Sequence, residues 1–158
     1  MNHLSDTLTG DEIKAINEEL IHYEDKTAVS IEALKIVQKH RGWVSDQSLL
    51  AIADFLQIPP AQLESVATFY NLIYRQPVGK TVIHYCNSVT CWMMGSDKVC
   101  ESLCRHLNVE PGKMSEDGKY TILPIVCLGA CDHAPVAMVG DELKLDLTEN
   151  VVNEIFGG

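Results

Sequence analysis

Apolar residues recur three and four positions apart through the first half of the chain, whereas short β-rich runs dominate the second. Ile13, Ile16 and Leu20 set the helical period, and Thr9 with Glu12 forms a capping-box pattern just ahead of them. Ile31, Leu34 and Val37 predict a second helix that stops near Gly42, which suits a left-handed C-terminal residue. Ser45 can cap a third helix carrying Leu49, Ile52, Ala53 and Leu56. Pro59-Pro60 breaks that run, and Pro60 can open a fourth helix with Leu63, Val66, Ala67 and Tyr70 on one side. Helices this short and closely connected predict a small helical bundle over residues 1–76.

The pattern changes at Gln76-Pro77-Val78-Gly79, which predicts a domain boundary and a second domain over 77–158. Thr81 to Tyr85 is a β-rich run leading into Cys86. A helix follows from about Gly95 to Leu107, with Val99, Leu103 and Leu107 inward. Asn108 to Gly118 reads as a loop with turns at Pro111-Gly112 and Asp117-Gly118. Tyr120 to Val126 is the next strand and leads into Cys127. Val136–Val139 and Glu142–Leu145 flank the turn Gly140-Asp141 as a hairpin, and Thr148 caps a last helix with Val151, Val152 and Ile155. The order is β-α-β-β-β-α: a parallel βαβ start, a hairpin and a covering helix. Such an α/β fold is similar to a thioredoxin-like layer.

Composition narrows the function. The chain of 158 residues has a formal charge of -10, which speaks against a nucleic-acid surface, since phosphate binding needs clustered Lys and Arg. The first residues show no basic region followed by an apolar run, and no stretch approaches the roughly 20 apolar residues of a membrane span. The expectation is a soluble, cytoplasmic protein without direct membrane insertion. In that compartment structural disulfides are uncommon, so six cysteines point to metal or redox chemistry.

Four of them fall into two tight pairs, Cys86-x4-Cys91 and Cys127-x3-Cys131, each just after a predicted strand. If the strands are parallel neighbours, the pairs leave the sheet at one edge and four thiolates can converge there. Gly129 lets the second loop pass close to a bound group. A 2Fe-2S cluster and a structural zinc ion both fit four thiolates, and the long spacings favour the cluster. A dithiol oxidoreductase would want a two-residue spacing, which no pair has. Cys100 and Cys104 share the apolar face of Val99, Leu103 and Leu107, and read as buried, inert thiols. Cys104 and His106 lie on opposite sides of that helix, which dismisses a histidine-ligated cluster there. His133 reads equally as a loop histidine or as a charge near the site. Gly79-Lys80-Thr81 resembles the tail of a phosphate-binding loop, but Tyr74 stands where the earlier glycine belongs. No catalytic residue emerges.

These residues resemble the small thioredoxin-like 2Fe-2S subunits of bacterial NADH:quinone oxidoreductase, respiratory complex I. The likeness rests on Ile31-Glu32-Ala33-Leu34 through Gly42-Trp43-Val44, on Ser65-Val66-Ala67-Thr68-Phe69-Tyr70, and on the loops Cys86–Cys91 and Cys127–Cys131 followed by Ala134-Pro135. It implies one 2Fe-2S cluster on Cys86, Cys91, Cys127 and Cys131. It also implies a partner flavoprotein subunit that binds FMN and NADH, in the peripheral arm of a complex at the inner membrane. The cluster would exchange single electrons with that flavin. Related subunits serve NAD-linked hydrogenases and formate dehydrogenases, and a zinc-stabilised binding module is the alternative from another class. The helical domain is the expected docking element, with Phe69, Tyr70 and Ile73 as an apolar centre or as core.

Overall fold

A computed structural model describes residues 7–157. The chain divides into two compact units, Met1–Pro77 and Val78–Gly158.

The first unit is helical. Helices α1 (Gly10–Leu20), α2 (Ser30–Arg41), α3 (Asp46–Leu56) and α4 (Pro60–Phe69) are joined by short connections, with a 3₁₀ turn at Lys26–Val29. Both halves of the capping box form: Thr9 Oγ1 accepts from the Glu12 N–H, and Glu12 Oε2 accepts from the Thr9 N–H at 2.8 Å. Gly42 closes α2 at φ +84°, and the Ser45 hydroxyl accepts from the Ser48 N–H to open α3. Ile16, Leu34, Val37, Ile52, Leu56 and Leu63 make the core. Tyr70 departs from the apolar side expected of it. The backbone leaves the helix there (φ -89°, ψ 111°), so Tyr70 is the C-cap and stacks edge-on against Phe69 with ring centroids 5.2 Å apart. Phe69 is 77% exposed and Tyr70 47%, whereas Ile73 is core. The segment after them is tied down within the same unit: the Gln38 side chain donates to Leu72 O and accepts from the Tyr74 N–H. Arg75 donates to Val44 O and pairs with Asp46 and Glu64.

The second unit is a four-stranded sheet with helices packed on it. Its elements are β1 (Thr81–Cys86), α5 (Val89–Met93), α6 (Ser96–Leu107), β2 (Tyr120–Ile125), β3 (Ala137–Val139), β4 (Glu142–Lys144) and α7 (Glu149–Phe156). The strand order is β2-β1-β3-β4. β1 and β2 are parallel, with Cys86 opposite Ile125, while β3 runs antiparallel to both β1 and β4. Pro124 in β2 lacks an N–H and is suited to the edge position that this strand holds. Ile83, Ile122, Val99, Leu103 and Val152 fill the space between sheet and helices. The Thr148 hydroxyl accepts from the Val151 N–H and starts α7. The short helix α5 was not expected: the Cys86–Cys91 segment reads as a loop in sequence, but Ser88 begins a helical turn whose carbonyl accepts from the Trp92 N–H at 2.9 Å.

Candidate metal centre

Both cysteine pairs leave the same edge of the sheet, because β1 and β2 run side by side in one direction. Cys86 is the last residue of β1, and its N–H still bonds to Val136 O at 3.1 Å. Asn87 extends the ladder to Ile125 O, after which the chain turns into α5 and places Cys91 on its inner side. Cys86 is 0% exposed and Cys91 1%. They form a small apolar cluster with Ala134 and Val136, against which Leu128 and Ala130 pack.

The second pair is exposed. Cys127 follows β2, and Cys131 opens a 3₁₀ turn, Cys131–His133. Their sulfurs lie 3.3 Å apart. Gly129 takes φ +84°, a conformation that points its N–H at Cys127 Sγ at 3.4 Å. The Ala134–Pro135 bond that follows is cis.

Electrostatics couple members of the two pairs. Burial pushes the Cys86 thiol up, yet hydrogen bonds from the Ser88 backbone, the Cys91 thiol and the Leu128 backbone outweigh it and leave the thiol below its ordinary range. Cys91 is pushed up by burial and by its neighbours Cys86 and Cys131, against a hydrogen bond from the Val136 backbone. Cys131 is raised chiefly by Cys127, with Cys86 adding to it and the Thr90 hydroxyl opposing. Cys131 thus feels Cys86 of the first pair as well as its own neighbour Cys127.

The chemistry of this donor set fits a two-iron centre. Two thiolates on one tetrahedral metal, with bonds of about 2.3 Å, stand roughly 3.8 Å apart, so Cys127 and Cys131 would have to open from their separation of 3.3 Å to hold one metal together. The Gly129 N–H reaches Cys127 Sγ, and the Ser88, Leu128 and Val136 backbones act on Cys86 and Cys91; such donors would stabilise thiolate ligands of an iron–sulfur cluster. The sulfurs are set as pairs, and among the described residues no three His, Cys, Asp or Glu groups converge on a single ion. Leu128 is an amide of the second cysteine loop, where such donors are expected from sequence, whereas Val136 lies beyond both loops and nothing in its residue type marks it.

The remaining candidates are Cys100, Cys104 and His133. Cys100 and Cys104 sit on α6 in the core of the unit, as the periodicity predicts. The His133 Nδ1–H donates to Asp146 at 3.0 Å, and Nε2 lies 3.6 Å from Asp132, so its imidazole is occupied by carboxylates. No helix among the described residues is long and apolar enough to cross a membrane.

A thioredoxin-like sheet with two cysteine pairs at adjacent strand ends is the arrangement of a metal–thiolate protein. The sequence model of the thioredoxin-like [2Fe-2S] ferredoxins matches residues 16–158, and the chain belongs to that family, with a 2Fe-2S cluster as its cofactor. The E subunit of the NADH-quinone oxidoreductase of Escherichia coli (strain K12) is 49% identical over 94% of this chain and 89% of its own length. Its counterpart in Pseudomonas aeruginosa is 44% identical over the same shares. Among solved structures, an NAD+-reducing [NiFe]-hydrogenase in the air-oxidised state superposes with a TM-score of 0.68 at 22% identity, over 82% of this chain. This chain spans 22% of the length of that one, and the likeness is one of fold.

Proposed function

We propose that this chain is the electron-transfer component of an NADH:quinone oxidoreductase, with Cys86 and Cys91 holding one iron of the cluster and Cys127 and Cys131 the other. The observation that carries the reading is the pairing of four thiols at the ends of β1 and β2, supplied with backbone N–H donors. The oxidoreductase relatives, matched over nearly their whole length, support the choice of complex. When bound, such a cluster accepts and returns one electron at a time. The chain's own residues give it a dry inner side at Cys86 and Cys91 and an accessible outer side at Cys127 and Cys131.

The electrons come from a partner. The sequence has no complete nucleotide loop, so NADH and FMN belong to a flavoprotein subunit, in an arm attached to the cytoplasmic side of the inner membrane. Phe69, Tyr70 and Leu72 form an exposed apolar patch on the helical unit, of the kind that marks an interface centre. Iron and zinc analysis, with EPR of the dithionite-reduced protein, tests the cofactor; stoichiometric zinc without iron sinks the reading. Co-purification of a flavin-containing, NADH-oxidising protein with the wild type but weakly with Phe69→Ser supports the docking patch. Undiminished co-purification removes it.

A further inference from the structure

The four paired thiols leave Cys100 and Cys104 without a task. They stand one helical turn apart on α6, with sulfurs separated by 4.0 Å. Both line a cavity of about 360 Å³, walled also by Glu101, Arg105 and Pro111. Cys104 lines a second cavity as well, of about 340 Å³, beside Val109 and Met114. Tyr85, on β1 beneath α6, interacts with Cys100: the contact raises the tyrosine and lowers the thiol, against the burial that raises both.

We propose that Cys100 and Cys104 form a dithiol site for trivalent organoarsenicals, separate from the cluster thiols. Geometry selects a bridging atom over a direct disulfide. Residues four apart on a helix keep their Cβ atoms about 5–6 Å apart, whereas a disulfide needs about 3.5–4.5 Å, so oxidation requires α6 to unwind. Two bonds of about 2.3 Å at the pyramidal angle of trivalent arsenic, about 100°, set the sulfurs about 3.5 Å apart, so small side-chain rotations close the observed gap of 4.0 Å with the helix intact. Thiols, being soft donors, select soft acceptors.

Protonation state then selects among those acceptors. Burial is the main cause that pushes Cys104 up to about 12, and burial raises Cys100 as well, so both are neutral thiols at physiological pH. Divalent cations require thiolates and are disfavoured. An arsenoso group condenses with neutral thiols: two As–S bonds form and the As–O bonds break. The oxygen leaves with both thiol protons as one water, and arsenic stays trivalent. The organic substituent on arsenic lies in the cavity against Pro111 and the aliphatic stems of Glu101 and Arg105.

The test treats the cluster-loaded full chain with phenylarsine oxide, washes with excess monothiol, and measures intact mass beside the visible absorption of the cluster. The expected result is one phenylarsenical per chain, gained with loss of one water, with cluster absorption unchanged. A dithiol such as 2,3-dimercaptopropanol removes it, and the Cys100→Ser and Cys104→Ser chains each retain less than a tenth of the adduct. Peptide mapping of the wild type after alkylation gives a check that needs no variant: Cys100 and Cys104 are protected together. No adduct on the wild type, an adduct that persists in the double variant, or uptake that parallels bleaching of the cluster overturns the proposal. Bleaching alone reads on the cluster assignment, and protection of Cys100 and Cys104 alone reads on this site.

Discussion

The Arg41 guanidinium, at the end of α2, donates two hydrogen bonds of 2.7 Å to the buried Glu12 carboxylate in the first turn of α1. The same guanidinium reaches Ser48 Oγ and Thr7 O, so one ion pair links the start of α1, the end of α2 and the start of α3. Glu12 also belongs to the α1 capping box, and its charge lies in the first turn, where the helix dipole favours an anion.

Breaking this pair from one side strands the other charge in a nearly dry place. Arg41→Ala leaves Glu12 buried and unpaired, and should cost roughly 3–5 kcal/mol of stability in the helical unit. Arg41→Lys should recover part of that, since it keeps the charge but loses the two-pronged grip. Urea unfolding followed by far-UV circular dichroism checks the order wild type, Lys, Ala.

Arg41, opposed by burial and aided by Thr9, holds the Glu12 carboxyl below its ordinary value. A lowered folded-state value means the contribution is fully present above the unfolded pKa of about 4.3 and disappears as pH falls through the folded one. The stability gap between wild type and Glu12→Gln should therefore be wide at pH 7 and narrow progressively below about pH 4.3. A gap that is constant from pH 7 to pH 3 would show that the charge of Glu12 adds nothing.

Two glycines separate lack of space from backbone strain. A Cβ on Gly79 would lie 2.6 Å from backbone atoms of Tyr120, so Gly79→Ala should force the start of β1 away from β2 and cost about 2 kcal/mol or more. Gly129 has open space around its missing Cβ, and its φ of +84° is the obstacle. Gly129→Ala should cost about 1–2 kcal/mol and loosen the outer cysteine loop, with Gly129→Asn milder. Thermal unfolding of the pair, with cluster content read from visible absorption, distinguishes them: the first lowers Tm, the second chiefly lowers cluster occupancy.

Cys127→Ser should remove most of the iron–sulfur absorption, and Cys104→Ala should leave it intact, because Cys104 lies on α6 within a separate core. Equal bleaching by the two substitutions would mean that the ligand set is wrong.

Isolated from any partner, the chain should neither bind nor oxidise NADH. The segment ending Gly79-Lys80-Thr81 lacks the earlier glycine and runs into β1, so it makes no phosphate cradle. Isothermal titration with NADH gives the answer directly, and a micromolar affinity would contradict it.

Much of this molecule was legible because its signals are local. Thr9, Ser45 and Thr148 each cap the helix that their neighbours predict, since the donor each satisfies lies three residues away. The position of both cysteine pairs followed from β-rich runs ending at the first cysteine of each. What escaped was set by residues remote in sequence. Glu12 looks like an exposed capping carboxylate until Arg41, twenty-nine positions on, covers it. The donor at Val136 depends on how the chain beyond both loops meets Cys91. Helix α5 is too short to show a period, and Tyr70 fits the helical spacing although the backbone leaves the helix at that residue.

Sheet position should also set how the cofactor is lost. β1 is hydrogen-bonded on both sides and carries Cys86 at its end, whereas β2, which delivers Cys127, is an edge strand. Amide exchange should therefore be slowest around Ile83–Cys86 and faster through the loop at 127–131, which local opening can release while the sheet stays folded. Iron would then depart by fraying of the outer loop, with a chelator-driven rate nearly independent of low denaturant concentrations. The inner thiols would still be in place when iron returns, so the folded sheet would keep half of the nest ready for reassembly.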